Sequence, residues 1–243
     1  MKPELSSSIT SQTSRDLSDN VLLASLPEAD RKRIGASLTS VTHTLRDIVF
    51  RPEERLSYVY FPRTSIVSLL TELSDGNGME VGLVGREGFV GVSAILGGTE
   101  TKVATVQASG TAWKISAETV RTEFRNCPPF QSALLRYTHG LMSQISQSVV
   151  CNARHPMEGR LARWLLMYHD RLGKNEFEMT HEFMAHMLGV RRPGVSEVAA
   201  KLQSMGFIKY SRGHVTILDR AGLEEFACEC YIVIEEKFKD LLK

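Results

Sequence analysis

The stretch from Leu188 to Asp219 reads LGVRRPGVSEVAAKLQSMGFIKYSRGHVTILD. Val195, Val198, Ala199 and Leu202 recur at i, i+3, i+4 and i+7, the spacing that gives a helix one apolar face. Pro193 falls in the first turn, where its missing N–H costs least. Upstream, Thr180 is placed to cap a preceding helix by accepting from a free backbone N–H. Phe183, Met184, Met187 and Leu188 supply that helix's apolar face, and Gly189 stands where a left-handed residue closes it. Downstream, Met205-Gly206-Phe207-Ile208 leaves the second helix, and Lys209 to Ile217 forms a hairpin punctuated by Gly213.

Two short helices about a glycine turn, with a hairpin after the second, make a winged helix-turn-helix layout. The charges suit it. Arg191 and Arg192 stand at the end of the second helix that enters a DNA major groove. A guanidinium there can contact guanine bidentately, worth about 1–3 kcal/mol of discrimination. Arg192, preceding Pro193, is expected just outside the helix. Gly194, Ser196, Glu197 and Lys201 continue the exposed face, and Glu197 can accept from a cytosine amino group or pair with a neighbouring base. With Thr180 and the hairpin residues Arg212 and His214, these are the candidate DNA contacts.

The surrounding chain divides into five parts. Residues 1–18, rich in Ser and Thr, are expected as a disordered lead-in. Residues 19–126 hold short β-branched and aromatic runs such as SYVYF, SIVSLL and VATVQA, separated by turn signals, which indicates a β-sandwich or jelly roll. Asp75-Gly76 and Asn77-Gly78 carry the best hairpin signal. Residues 127–155 switch to helical period. Leu134, Leu141, Met142, Ile145 and Val149 form a stripe read as a dimer seam, the alternative being a helix packed on the β-domain alone, and His155-Pro156 breaks the helix as a hinge. Residues 156–220 hold the helix-turn-helix, and 221–243 an amphipathic helix that needs covering by its own chain or a partner. The fold class is α+β.

Composition narrows the function. The net charge of +1 hides a neutral stretch over 1–151, a +4 block over 152–220 and a −3 tail. A local basic block suits a polyanion partner. No apolar run is long enough for a membrane span and no apolar leader opens the chain, which points to a cytoplasmic protein. His181 and His186 are five apart, not the i, i+4 of a zinc-peptidase helix, and no nucleophile–base set has a recognisable signature. The chain is therefore expected not to be an enzyme. Cys127, Cys151, Cys228 and Cys230 are read as small buried hydrophobes, with Cys228 and Cys230 on different faces of one helix. Neither a metal nor a cofactor is expected.

From about Asn20 to Leu218 the chain resembles the Crp/Fnr family of bacterial transcription factors. The family's pattern is met at Leu188, Gly189, Arg192, Val195, Leu202, Gly206, Phe207 and Ile208. The resemblance implies a cyclic-nucleotide-binding-type β-roll, a long dimer helix and a DNA-binding winged helix-turn-helix, with Arg192 as the base-reading arginine. Its partners would be double-stranded DNA, a second copy of the chain, a small-molecule effector and, for an activator, RNA polymerase.

Two places depart from the family. Pro193 and Glu197 stand where Glu and a second Arg are frequent, so a different half-site is expected. In the effector pocket, formed by Gly91, Val92, Ser93, Lys102 and Val103, Val92 replaces the ribose-binding Glu, Lys102 the phosphate-binding Arg, and Val103 the Ser/Thr beside it. Valine cannot accept from a hydroxyl, and lysine lacks the bidentate fork. Cyclic AMP is therefore not expected as the ligand. The remaining alternative is a ligand-binding interaction module whose helical domain contacts protein.

Overall fold

The computed structural model describes residues 17–74 and 78–241. Helices α1 (Val21–Ala24) and α2 (Glu28–Ala36) precede strands β1 (Thr39–His43), β2 (Ile48–Phe50), β3 (Tyr58–Pro62), β4 (Ile66–Glu72) and β5 (Gly78–Val84). A single helical turn, α3 (Ser93–Leu96), leads to β6 (Val103–Ala108) and β7 (Gly110–Ser116). The strands form two antiparallel sheets, in the orders β1-β7-β3 and β2-β6-β4-β5. Residues 1–16 and the predicted hairpin positions 75–77 lie outside the described residues. Within them, Glu72 pairs with Gly78 across that turn, and Leu17 is buried, so ordered packing starts before Asp19. Asn20 fastens the entry: its Oδ1 caps α1 at Leu23, and its Nδ2 donates to the carbonyls of Pro62 and Gly88, each at 2.9 Å.

Ser116 accepts from the Thr119 N–H and starts α4 (Ala117–Asn126). Pro128 and Pro129 then occupy the first turn of α5 (Pro128–Arg154), whose inner face fills the β-domain. Phe61, Phe89 and Tyr137 stack in sequence at centroid separations of 5.9 and 5.2 Å. Gly88 exists for that packing, since a Cβ there would lie 1.8 Å from the Tyr137 ring.

The seam prediction needs correcting. Leu134 and Leu141 are buried in their own chain, and Ile145 packs partly against the same core. The outward apolar row is Leu135, Met142 and Val149, exposed by 45%, 60% and 61%. They are spaced by seven, the interval that keeps residues on one face of a helix pairing with a second helix.

His155 takes an extended conformation ahead of Pro156, which ends α5 and caps α6 (Met157–Leu172). Strand β8 (Glu176–Glu178) follows α6. It joins β10 (His214–Ile217) and β9 (Ile208–Ser211) in the order β8-β10-β9. Between them lie α7 (His181–Leu188) and α8 (Arg192–Ser204). Helices α9 (Arg220–Phe226) and α10 (Cys230–Leu241) complete the chain, and α10 packs on α5 and α6 of its own chain. Tyr231, Ile234 and Phe238 are buried there, which settles what covers the tail.

Candidate nucleic-acid interface

Thr180 Oγ1 accepts from the Phe183 N–H at 3.2 Å and caps α7, as its residue type predicts. Gly189 ends α7 with φ 62° and ψ 40°. The side chain of Met79, from β5, fills the space over it, 2.6 Å from where a Cβ would stand. The turn of the helix-turn-helix thus rests on the β-domain. Arg160 holds its other side. Its Nη2 donates to the Leu188 carbonyl at 2.6 Å, and its Nε donates to Asn152 Oδ1 at 3.1 Å. One buried guanidinium therefore joins the end of α5 to an otherwise unpaired helix-terminal carbonyl.

Arg191 is the N-cap of α8, and Arg192 is its first residue rather than lying outside the helix, with Pro193 next in the first turn. Both arginines are exposed. Ser196 Oγ donates to the Arg192 carbonyl at 3.2 Å and sits 2.8 Å from His181 Nδ1. With that hydroxyl proton engaged, His181 Nδ1 is the donor of the pair. The His181 ring stacks on Tyr210 at 4.0 Å, tying α7 to the hairpin. Burial, and then the charge of Arg192, lower the His181 pKa, so the ring favours its neutral form.

The hairpin closes on Arg212 and Gly213, at φ 48° and 84°. Ser211 pairs with His214 around them. Two left-handed central residues make the tight turn that fits strand twist, and Arg212 is exposed at its tip. A Cβ on Gly213 would lie 3.5 Å from Thr180, so the wing tip stands beside the start of α7.

Glu197 and His214 are exposed. Two predicted contacts turn elsewhere. Lys201 Nζ donates to Glu158 Oε1 of α6 at 3.1 Å. Gly194 is bare to admit Met157, whose Cε would be 2.9 Å from an added Cβ. Both residues serve the packing of α8 on α6.

In the β-domain, Val92 caps the short α3, and Ser93 Oγ donates to Glu100 Oε1 at 2.6 Å. Glu100 and Val103 are buried, and half-buried Lys102 donates from Nζ to Thr101 Oγ1 at 3.1 Å. Gly91 has φ 115°, which suits glycine at the turn into α3.

One grouping escaped the sequence reading. Helix α10 starts at Cys230, so Cys228 lies in the preceding turn and not on another face of the same helix. Cys228 and Cys230 come together with Cys151 and His155, 73 or more residues upstream, at the end of α5.

A β-roll, a long helix and a winged helix-turn-helix, in that order, have the fold of a DNA-binding transcription regulator. Residues 42–127 match the model of the cyclic nucleotide-binding domain, and residues 159–226 that of the Crp-like helix-turn-helix domain. The chain belongs to the Crp/Fnr family. Among solved structures it is similar to FixK2 from Bradyrhizobium japonicum, with a TM-score of 0.69 at 17% identity, covering 79% of this chain and 98% of that one. It is similar to the c-di-GMP-responsive global regulator CLP from Xanthomonas campestris, with a TM-score of 0.63 at 18% identity, over 79% and 99% of the two chains. A CRP/FNR-family transcriptional regulator from Thermus thermophilus gives 0.61 at 21% identity, over 78% and 98%. At these identities the likeness speaks for the fold. No curated protein sequence matches the chain. No helix among the described residues is long and apolar enough to cross a membrane.

Proposed function

We propose that the chain is a homodimeric, sequence-specific DNA-binding transcription regulator with no catalytic activity, acting in the cytoplasm. The carrying observation is the exposed Arg191-Arg192 pair at the start of α8, with Arg212 at the neighbouring wing tip. Arg192 reads a base edge, and Arg212 contacts phosphate. The Leu135–Met142–Val149 row pairs with its copy across a two-fold axis, which puts the half-sites about 34 Å apart. As an activator it would also engage RNA polymerase.

The effector is not cyclic AMP. The place of the phosphate-binding arginine holds a lysine, Lys102, whose ammonium is bonded to Thr101, and a carboxylate, Glu100, is bonded to Ser93 at the adjacent turn. An anionic phosphate gains nothing from that arrangement. The signal passes through α5 and the His155-Pro156 hinge to α8.

Site selection from random DNA, with purified protein and nothing added, tests this reading. A two-fold-symmetric motif is expected. Absence of any DNA binding would overturn it, and micromolar binding of cyclic AMP in calorimetry would overturn the effector assignment.

A further inference from the structure

Cys151 and His155 are one helical turn apart at the end of α5. Cys228 arrives from the turn before α10, and Cys230 begins α10. The Sγ atoms of Cys151 and Cys228 are 3.4 Å apart, as are Cys230 Sγ and His155 Nδ1, and all four donor atoms lie within 4.8 Å of one another. Cys151 and Cys230 are buried, and the other two are half-buried. We propose that these residues form a tetrahedral Cys3His site for one zinc ion, placed at the hinge.

The spacing suits a single ion. Two ligands about 2.3 Å from a tetrahedral zinc stand about 3.8 Å apart. An iron–sulfur cluster spreads its thiolates around a body of several metal and sulfide atoms and needs wider separations. The Cys151–Cys228 gap is also well beyond the roughly 2.05 Å of a disulfide. Three thiolates and a neutral imidazole form a soft donor set that selects zinc over magnesium or calcium.

The surroundings complete the site. With Nδ1 toward the sulfurs, the other ring nitrogen of His155 lies 3.8 Å from Glu229 Oε1, close enough for a small movement of that exposed carboxylate to supply the outer partner that metal-bound histidines use. Gln147 Nε2 donates to Cys230 Sγ at 3.0 Å. Arg163 is 4% exposed, and its charge lies within electrostatic reach of Cys151 and Cys228 as well as of Glu80. Zinc with three thiolates carries net −1, which would add to the compensation that a buried cation needs. Gly159 of α6 sets the approach, since a Cβ there would stand 3.2 Å from the Cys228 backbone nitrogen. A bound ion therefore ties the end of α5 to the start of α10, with α6 packed beside it.

Full-length protein purified under reducing conditions should contain one zinc per chain by elemental analysis. Cobalt(II) added to zinc-stripped protein should give the visible bands of a tetrahedral thiolate site. Cys230→Ser should lose the metal, whereas Cys127→Ser, in the β-domain and outside the group, should keep it. Glu229→Gln should weaken zinc about 10-fold or more. Should Cys230→Ser fail to fold, the wild-type cobalt titration decides alone. Reduced wild-type protein that takes up no cobalt would overturn the proposal, and so would a Cys151–Cys228 disulfide in place of bound metal.

Discussion

The indole Nε1 of Trp164 donates to Glu80 Oε1 at 2.9 Å, joining the first helix after the hinge to a strand of the β-roll. Ser68 Oγ donates to the other carboxylate oxygen at 2.6 Å. Burial of this carboxyl outweighs those two donors and the charges of Arg163 and Arg171, and raises its pKa from 4.5 to about 7. The folded protein therefore keeps a proton there that the unfolded chain releases near pH 4.5. This contribution is fully present below pH 4.5 and is lost as pH rises through about 7. Its full span is at most about 3 kcal/mol. Urea unfolding of wild type and Glu80→Gln between pH 5 and 8 measures it. The variant should gain on wild type as pH rises, and parallel profiles would refute the assignment.

Arg192→Ala should cost about 1–3 kcal/mol on the selected site and relax preference at one base pair. Arg212→Ala should instead weaken every sequence alike and lower the salt slope by about one. Binding titrations on matched and scrambled duplexes at several salt concentrations separate the two roles. Salt-insensitive binding by the wild type would favour a protein-contacting module.

Met142→Glu should shift the protein toward monomer in light scattering without changing its circular dichroism, because the side chain is 60% exposed in the single chain. Leu134→Glu should unfold the β-domain, since that residue is fully enclosed.

Gly88→Ala places a methyl group 1.8 Å from the Tyr137 ring. Tyr137 is itself wedged between Phe89 and Phe238, so it has nowhere to retreat. A loss of at least about 1–3 kcal/mol in denaturant unfolding is expected.

The helix-turn-helix was legible because its signals are local. Thr180, Gly189 and Pro193 fix helix ends within a few residues of the apolar periodicity they frame. Which apolar residues of α5 face outward was not legible, for a physical reason. Helix α5 is apolar on two faces, and periodicity shows that Leu134 and Leu135 both point at something without saying which one faces its own domain. Lys201 and Gly194 lie on the predicted helix, yet their partners, Glu158 and Met157, come from the first turn of α6, far upstream in the sequence. The cysteine group was hidden by distance along the chain. Its assembly depends on α10 starting at Cys230, a boundary that composition does not mark.

Helix α10 lays Phe238 against Tyr137, 6.0 Å from centroid to centroid, and so closes a core whose other walls come from the β-roll, α5 and α6. During synthesis the β-roll and α5 emerge first and must wait, with that apolar face bare, until residues 230–241 clear the ribosome. A truncated or stalled product would thus leave α5 uncovered and prone to aggregate. Only chains translated through α10 complete the packing of the domain made first.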